Sequence, residues 1–161
     1  MVKKTKIKIR KARLKDVKQI HGLVNGYSRK GLMLARPVSY IETKIRDFFV
    51  CTCDGKVMGC VALKIWNKEW AEIIALVVHS KYQGRGMGLE LTKACILDAK
   101  VIGIRYVLML TFQHDLAEKS GFTKMNGLKN IPEVVFTEKT VNVDKAYMLD
   151  IGNVKNGKIG G

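Results

Sequence analysis

Charged and apolar residues alternate from Lys6 to Arg10, which predicts a half-exposed first strand. The period then lengthens. Leu14, Val17, Ile20, Leu23 and Val24 recur at helical spacing across residues 14–27. Gly26 and Gly31 loosen the next segment, and Pro37 breaks it. Ser39 reads as the N-cap of a second short helix, with Glu42 at capping-box spacing and Ile41, Ile45 and Phe48 as its apolar stripe. Three strand-like runs come next, over residues 48–53, 57–66 and 70–78. Asp54-Gly55 is a two-residue hairpin signal and Asn67 marks the next turn, so the centre of the chain reads as an antiparallel meander. Helical spacing returns over residues 87–101, with Leu91, Ala94, Cys95, Ala99 and Ile102 on one face and Lys93 and Lys100 opposite. Residues 105–111 read as a strand, 114–120 as a short helix, Gly121-Phe122 as the start of a strand, and 146–151 as the last strand. Four glycines fall in the ten positions from Gly152, so the pattern predicts a single domain over 1–151 and a flexible tail over 152–161.

The punctuation between the third central strand and the long helix carries the candidate chemistry. Gln83-Gly84-Arg85-Gly86-Met87-Gly88 is a glycine-rich turn placed between a strand and a helix. Such a turn aims several backbone N–H groups at one point, and the helix start adds partial positive charge there. The expected ligand is a phosphorylated cofactor. Two phosphate motifs are excluded. The chain contains no Gly-Lys-Ser or Gly-Lys-Thr, as a P-loop requires, and Leu89 or Leu91 stands where the dinucleotide fingerprint needs its third glycine.

Charge adds a second expectation. The chain of 161 residues carries 29 Lys and Arg against 14 Asp and Glu, a formal net charge of +15. Lys3, Lys4, Lys6, Lys8, Arg10, Lys11, Arg13 and Lys15 crowd the first fifteen positions. This excess favours anionic partners. No aromatic residue precedes Tyr27, so stacking on a single strand has no support in this arm, and nucleic acid is not the expected partner. Metal is not expected either. Cys51, Cys53, Cys60 and Cys95 lie in apolar runs without a Cys-x-x-Cys pair, and His21, His79 and His114 are scattered. These thiols read as buried and reduced, in a cytoplasmic protein. No apolar run reaches the length of about 18 residues that a membrane span needs, and the N-terminus lacks a signal-peptide core.

The motif Gln83-x-x-Gly86-x-Gly88 resembles the acetyl-CoA pyrophosphate loop of the GNAT N-acetyltransferases, and the β-α-α-β-β-β-α-β-α-β-β order over about residues 6–151 is similar to theirs. Residues 29–37, 45–48, 59–63 and 110–113 further resemble segments of the stand-alone, bacterial-type N-acetylglutamate synthases. The resemblance implies an α/β (α+β) GNAT fold. Its mixed, mostly antiparallel sheet would have 6–7 strands flanked by about four helices, with splayed strands at the acetyl-CoA site. It implies acetyl-CoA as cosubstrate, bound by Leu76, Val77, Val78, Gln83, Gly84, Arg85, Gly86, Met87 and Gly88, with one amide of the 76–78 strand edge polarising the thioester carbonyl. Glu72, the one acid in the central strand run, would take the amine's proton and share a face with Ile74 and Leu76. Arg36 would meet the substrate carboxylate, with Lys30 as the weaker candidate. The implied reaction acetylates the α-amine of a free amino acid, L-glutamate first, as in arginine biosynthesis. Another amino acid or a protein N-terminus as acceptor, and a non-catalytic acetyl-CoA- or nucleic-acid-binding module, remain alternatives, and a homodimer stays open. Ala117 stands where many members carry a tyrosine that protonates the leaving thiolate, which leaves His114 or Tyr106 as weaker substitutes.

Overall fold

The computed structural model describes residues 5–138 and 141–152. Apart from Gly152, the tail expected over 152–161 lies outside the described residues, as do Lys3 and Lys4 of the basic arm. The elements run β1 (Ile7–Lys11), α1 (Val17–Arg29), α2 (Val38–Thr43), β2 (Phe48–Cys53), β3 (Lys56–Ile65), β4 (Trp70–Val78), α3 (Met87–Ile102), β5 (Tyr106–Leu110), α4 (His114–Lys119), β6 (Thr123–Lys124), α5 (Glu133–Glu138) and β7 (Ala146–Asp150). The strands form one seven-stranded sheet in the order β1-β2-β3-β4-β5-β7-β6. The pairs β1–β2, β2–β3, β5–β7 and β6–β7 are antiparallel. The chain divides into two compact units, one of residues up to Leu63 plus Ile73–Cys95, the other of Lys64–Glu72 plus the residues from Ile96 on.

In the first unit, α1 turns Val17, Ile20 and Val24 into a core shared with Ile41, Phe48, Val50, Val57, Cys60, Ala62, Ile74 and Val77. Full burial of an aliphatic or aromatic side chain of this size is worth about 1.5–3 kcal/mol. Leu14, expected on the same stripe, is 66% exposed. The cause is Asp16. Its carboxylate accepts from Arg10 Nη1 (2.7 Å), Arg10 Nη2 (3.0 Å) and the Arg13 N–H (2.8 Å), which tightens residues 14–16 into a 3-10 turn and delays the α-helix to Val17. The capping box expected at Ser39 does not form. Pro37 occupies the N-cap, its carbonyl accepting from the Tyr40 and Ile41 N–H groups, and Ser39 falls inside the first turn.

The Arg10 hydrogen bonds are the largest influence on Asp16 and hold its carboxyl below the usual carboxylate range. A depressed folded-state value means that the pair's stabilisation is complete above about pH 4, where the unfolded carboxyl is ionised, and fades as pH falls through the folded value. Asp16→Asn leaves the half-buried Arg10 guanidinium without its countercharge. It is expected to cost about 3 kcal/mol in urea unfolding at pH 7, with the gap to wild type closing below pH 4. A gap of the same size at pH 3 would show that packing, not charge, accounts for the loss.

The strand β4 breaks its own alternation. Ala75 has φ +53°, a left-handed conformation costing an L-residue about 1–2 kcal/mol. Ile74 and Val77, three positions apart, consequently enter the same core. The face expected to run Glu72, Ile74, Leu76 therefore ends at Ile74. On β3, a Cβ added to Gly59 would stand 3.0 Å from the Val77 carbonyl oxygen and 3.1 Å from Leu91 Cδ1, so only glycine admits this approach of β3, β4 and α3.

The helix α3 buries Met87, Leu91, Thr92, Cys95, Ile96 and Ala99, while Ile102, expected on that face, is 49% exposed. Gly103 turns the chain at φ +89°, the Ile104 N–H returns to the Ala99 carbonyl (2.9 Å), and Ile104 takes the inward position instead. In the second unit, Trp70, Leu108, Ile131, Val135 and Val141 form a separate core. Helix α5 is not expected from the sequence, so the described residues contain five α-helices rather than four. The strand expected at Gly121-Phe122 is only Thr123–Lys124. All four cysteines are buried and free of disulfides. Burial pushes the Cys60 thiol up to about 12, which makes it inert.

Candidate active site

The strand β4 runs out at Val78, a 3-10 turn spans Ser80–Tyr82, and α3 starts at Met87. Between them Gly84 (φ +74°) and Gly86 (φ +80°) take left-handed backbone that other residues enter at a cost. No atom lies within 4 Å of where a Cβ would stand on either, so the turn is open on that side. The Glu90 N–H bonds the Gly86 carbonyl (3.1 Å), and the amides just before it have no carbonyl one turn earlier within the helix. Met87 is buried and anchors the helix start, and the Thr92 hydroxyl donates to the Gly88 carbonyl (2.8 Å). Arg85 is exposed, its guanidinium 5.1 Å from the centre of the Tyr82 ring. A hydrogen bond with Cys53 is the main influence raising the Tyr82 hydroxyl above its ordinary range. The assembly is a set of fixed dipoles and one cation at the start of a 16-residue helix, the chemistry of an anion cradle.

The strand edge beside this cradle is held by side chains. Val77 is buried, and Leu76 and Val78 are half-buried. The Val78 carbonyl accepts from the Tyr27 hydroxyl (2.8 Å) and from Gln83 Nε2 (3.0 Å), and Gln83 Nε2 also donates to the Tyr27 hydroxyl. The side chain of Gln83 is thus engaged with the protein. Tyr27 lies in the last turn of α1, and the segment after the helix carries the other two candidates of this unit. Lys30 is exposed, its ammonium 5.6 Å from the Tyr27 ring centre. Arg36 is half-buried, its guanidinium 4.9 Å from the Tyr40 ring centre, while Asn25 Nδ2 donates to its carbonyl (3.1 Å). A planar guanidinium braced on a ring retains donors for a carboxylate.

Glu72 belongs to the second unit. It is 1% exposed, and its Oε2 accepts from the Trp66 indole Nε1 (2.9 Å). The Lys64 ammonium stands 3.9 Å from the Trp66 ring centre. A buried carboxylate with an indole donor is oriented and partly dehydrated, which suits proton transfer. In the same unit Ala117 is fully buried, and its methyl side chain has no proton to donate. His114 Nδ1 meets the hydroxyl of the buried Tyr147, whose pKa is raised by burial first and then by Glu118 and Asp115. Tyr106 stacks on Trp70, ring centres 4.9 Å apart.

The sequence patterns do not single out three of these side chains. Trp66 reads only as a strand end. Its N–H bonds the Trp70 carbonyl (2.9 Å), and counting outward from that closure puts position 64 across from 72 and 66 on its diagonal, a contact that hairpin arithmetic would have found. Tyr27 and Tyr147 reach partners 51 and 33 positions away, and nothing in one sequence marks such pairings. Among the described residues no group of three or more His, Cys, Asp or Glu could hold a metal ion, and no helix is long and apolar enough to cross a membrane.

The model of the acetyltransferase (GNAT) family matches residues 19–123. An uncharacterized N-acetyltransferase of Chlorobaculum tepidum is 35% identical over 131 residues, 81% of each chain. An amino-acid acetyltransferase of Mycobacterium tuberculosis is 30% identical over 157 residues, 94% of this chain and 89% of the relative. The solved N-acetylglutamate synthase of Neisseria gonorrhoeae, complexed with coenzyme A and N-acetyl-glutamate, superposes with a TM-score of 0.78 at 26% identity. The match covers 91% of this chain but only 35% of that one. The cradle after β4 lies within the span that the family model matches, and the chain belongs to the GNAT acetyltransferase family.

Proposed function

We propose that this chain moves the acetyl group of acetyl-CoA to the α-amine of a free amino acid, L-glutamate foremost, as a cytoplasmic enzyme of arginine biosynthesis. Residues 1–151 act as one catalytic domain in this reading. The observation that carries it is the open left-handed turn at Gly84 and Gly86 at the head of α3. Support comes from the gonococcal synthase, whose structure holds coenzyme A and N-acetyl-glutamate. The amides of residues 83–88 and the Arg85 guanidinium take the pyrophosphate. An N–H of the Leu76–Val78 edge donates to the thioester carbonyl oxygen as negative charge gathers there. Glu72 removes the ammonium proton, directly or through water, so that the amine's lone pair can form the C–N bond while the C–S bond breaks. The sulfur leaves as a thiolate, with an ordinary pKa of about 8.5, and takes a proton from solvent, while the new amide nitrogen releases its second proton to solvent.

Arg36 pairs with the acceptor's carboxylate, assisted by Lys30. Arg36→Ala is expected to raise the KM for the amino acid at least about tenfold, since a charge-assisted hydrogen bond contributes about 1.5–3 kcal/mol, with a smaller change in kcat. An unchanged KM removes the clamp. The reaction itself is tested by monitoring acetyl-CoA consumption against a panel of amino acids and an N-terminal peptide. Apolar amino acids belong in the panel because Leu32 and Leu34 on the acceptor segment are 65% and 62% exposed. Saturable turnover with L-glutamate above the other amines is the expected result. Turnover with none of them would overturn the proposal.

A further inference from the structure

Tyr27 sits at a junction inside the first unit. Its backbone carbonyl accepts from the N–H groups of Lys30 and Leu32 (both 3.1 Å), which fixes the start of the segment carrying Lys30 and Arg36. Its hydroxyl donates to the Val78 carbonyl (2.8 Å), at the last residue of β4. That carbonyl belongs to a peptide unit held from both ends. On the oxygen side it receives Tyr27 and Gln83, and on the nitrogen side the His79 N–H donates to the Met58 carbonyl (2.7 Å). A peptide group is a rigid plane, so gripping both ends fixes the direction in which the chain leaves β4. Within a few residues the chain has become the Gly84–Gly88 turn. Of the two donors to this carbonyl, Gln83 is exposed on the turn itself, whereas Tyr27 reaches in from a helix rooted in the core.

We infer that Tyr27 is a positioning residue for the cradle that would hold acetyl-CoA. Its hydroxyl locks the exit of β4 in the orientation that aims the cradle, and its backbone ties that lock to the acceptor segment. This rests on the proposed acetyl-CoA site. The preorganised amides do not have to be ordered at the cost of binding energy when the ligand arrives. Gln83 works with Tyr27 on one acceptor, so the two contributions are coupled.

Tyr27→Phe keeps the ring, its packing and its place beside Lys30, and removes only the hydroxyl. Titration calorimetry with acetyl-CoA should show the Kd rising about tenfold, and the KM for acetyl-CoA should rise with it. At saturating acetyl-CoA, kcat should stay within about twofold, because the chemistry is untouched once the cradle is filled. Gln83→Ala, a surface change that leaves the core intact, should weaken binding in the same direction. The double variant should lose less than the product of the two single losses. A merely structural hydroxyl would lower the melting temperature and leave Kd and KM at the wild-type values below it, and that result overturns the inference. So does multiplicative loss in the double variant. Wild-type protein that takes up no acetyl-CoA would overturn the functional reading and this role together. Wild-type binding matched by an equally tight Tyr27→Phe overturns the role alone.

Discussion

Glu72→Gln is expected to lower kcat by about 10²–10⁴-fold with little change in either KM, the range that a lost general base typically costs. The substitution is nearly isosteric. Its amide oxygen can still accept from the Trp66 indole, so the buried side chain keeps its shape and its indole donor while losing the ability to take a proton. An amine held as ammonium has no lone pair, and without a base the site depends on the small neutral fraction supplied by solution. The variant's rate should therefore climb with pH toward the amine's own pKa, where wild type has already levelled off. That slope separates two explanations of a slow variant. A buried acid needed only for folding would give a lower melting temperature and an unaltered pH profile in whatever protein remains folded. Turnover equal to wild type at neutral pH removes Glu72 from the reaction.

The parts of this molecule that depend on local chemistry are readable in the sequence. Asp54-Gly55 forms its two-residue hairpin, with φ of +48° and +81°, because those residue types tolerate left-handed backbone. The strands over 48–53 and 70–78 match β2 and β4 residue for residue, and the long helix starts at Met87 as its spacing requires. The unreadable parts depend on partners far along the chain. The left-handed residue at Ala75 has no residue-type signature, since alanine is a poor choice for φ +53°, and its effect, Ile74 and Val77 entering one core, is visible only in the packed strand. The capping box at Ser39 lost to Pro37, whose fixed φ placed its carbonyl first in line for the helical N–H groups. Helix α5 is a six-residue segment of Val, Phe, Thr and Glu behind Pro132, too short for periodicity to reveal and ordered by Val135 entering the second core. For the site, the cradle is legible because a glycine turn is a local device. The support of Val78 is not, because Tyr27 reaches it from 51 positions away, whereas Trp66 reaches Glu72 within one hairpin and follows from counting outward from its turn.

Replacing Gly86 by valine tests the cradle itself, and the expected outcome is a loss of about 10²-fold or more in affinity for acetyl-CoA and in kcat/KM for it. Space is not the obstacle. A Cβ at Gly86 meets nothing within 4 Å, so the substitution creates no clash with the protein. It does change the backbone. At φ +80° a β-branched residue is a genuine outlier, and holding one there costs about 1–3 kcal/mol. The turn escapes that cost by moving Gly86 to negative φ, which swings the amides at the head of α3 away from their common focus. Where the backbone does not move, two methyl groups stand in the open space that a pyrophosphate would fill. Either response removes the ligand's donors while Met87, buried one position later, keeps α3 seated. The melting temperature should fall by only a few degrees, in keeping with strain of that size confined to an exposed turn. Gly86→Ala makes the comparison quantitative, because alanine bears the same positive φ with less penalty and projects one methyl group rather than a branched pair. The order of affinity should be glycine, then alanine, then valine. Equal acetyl-CoA binding by all three would mean that the diphosphate is held elsewhere, and the function proposed for this chain would lose the observation that carries it.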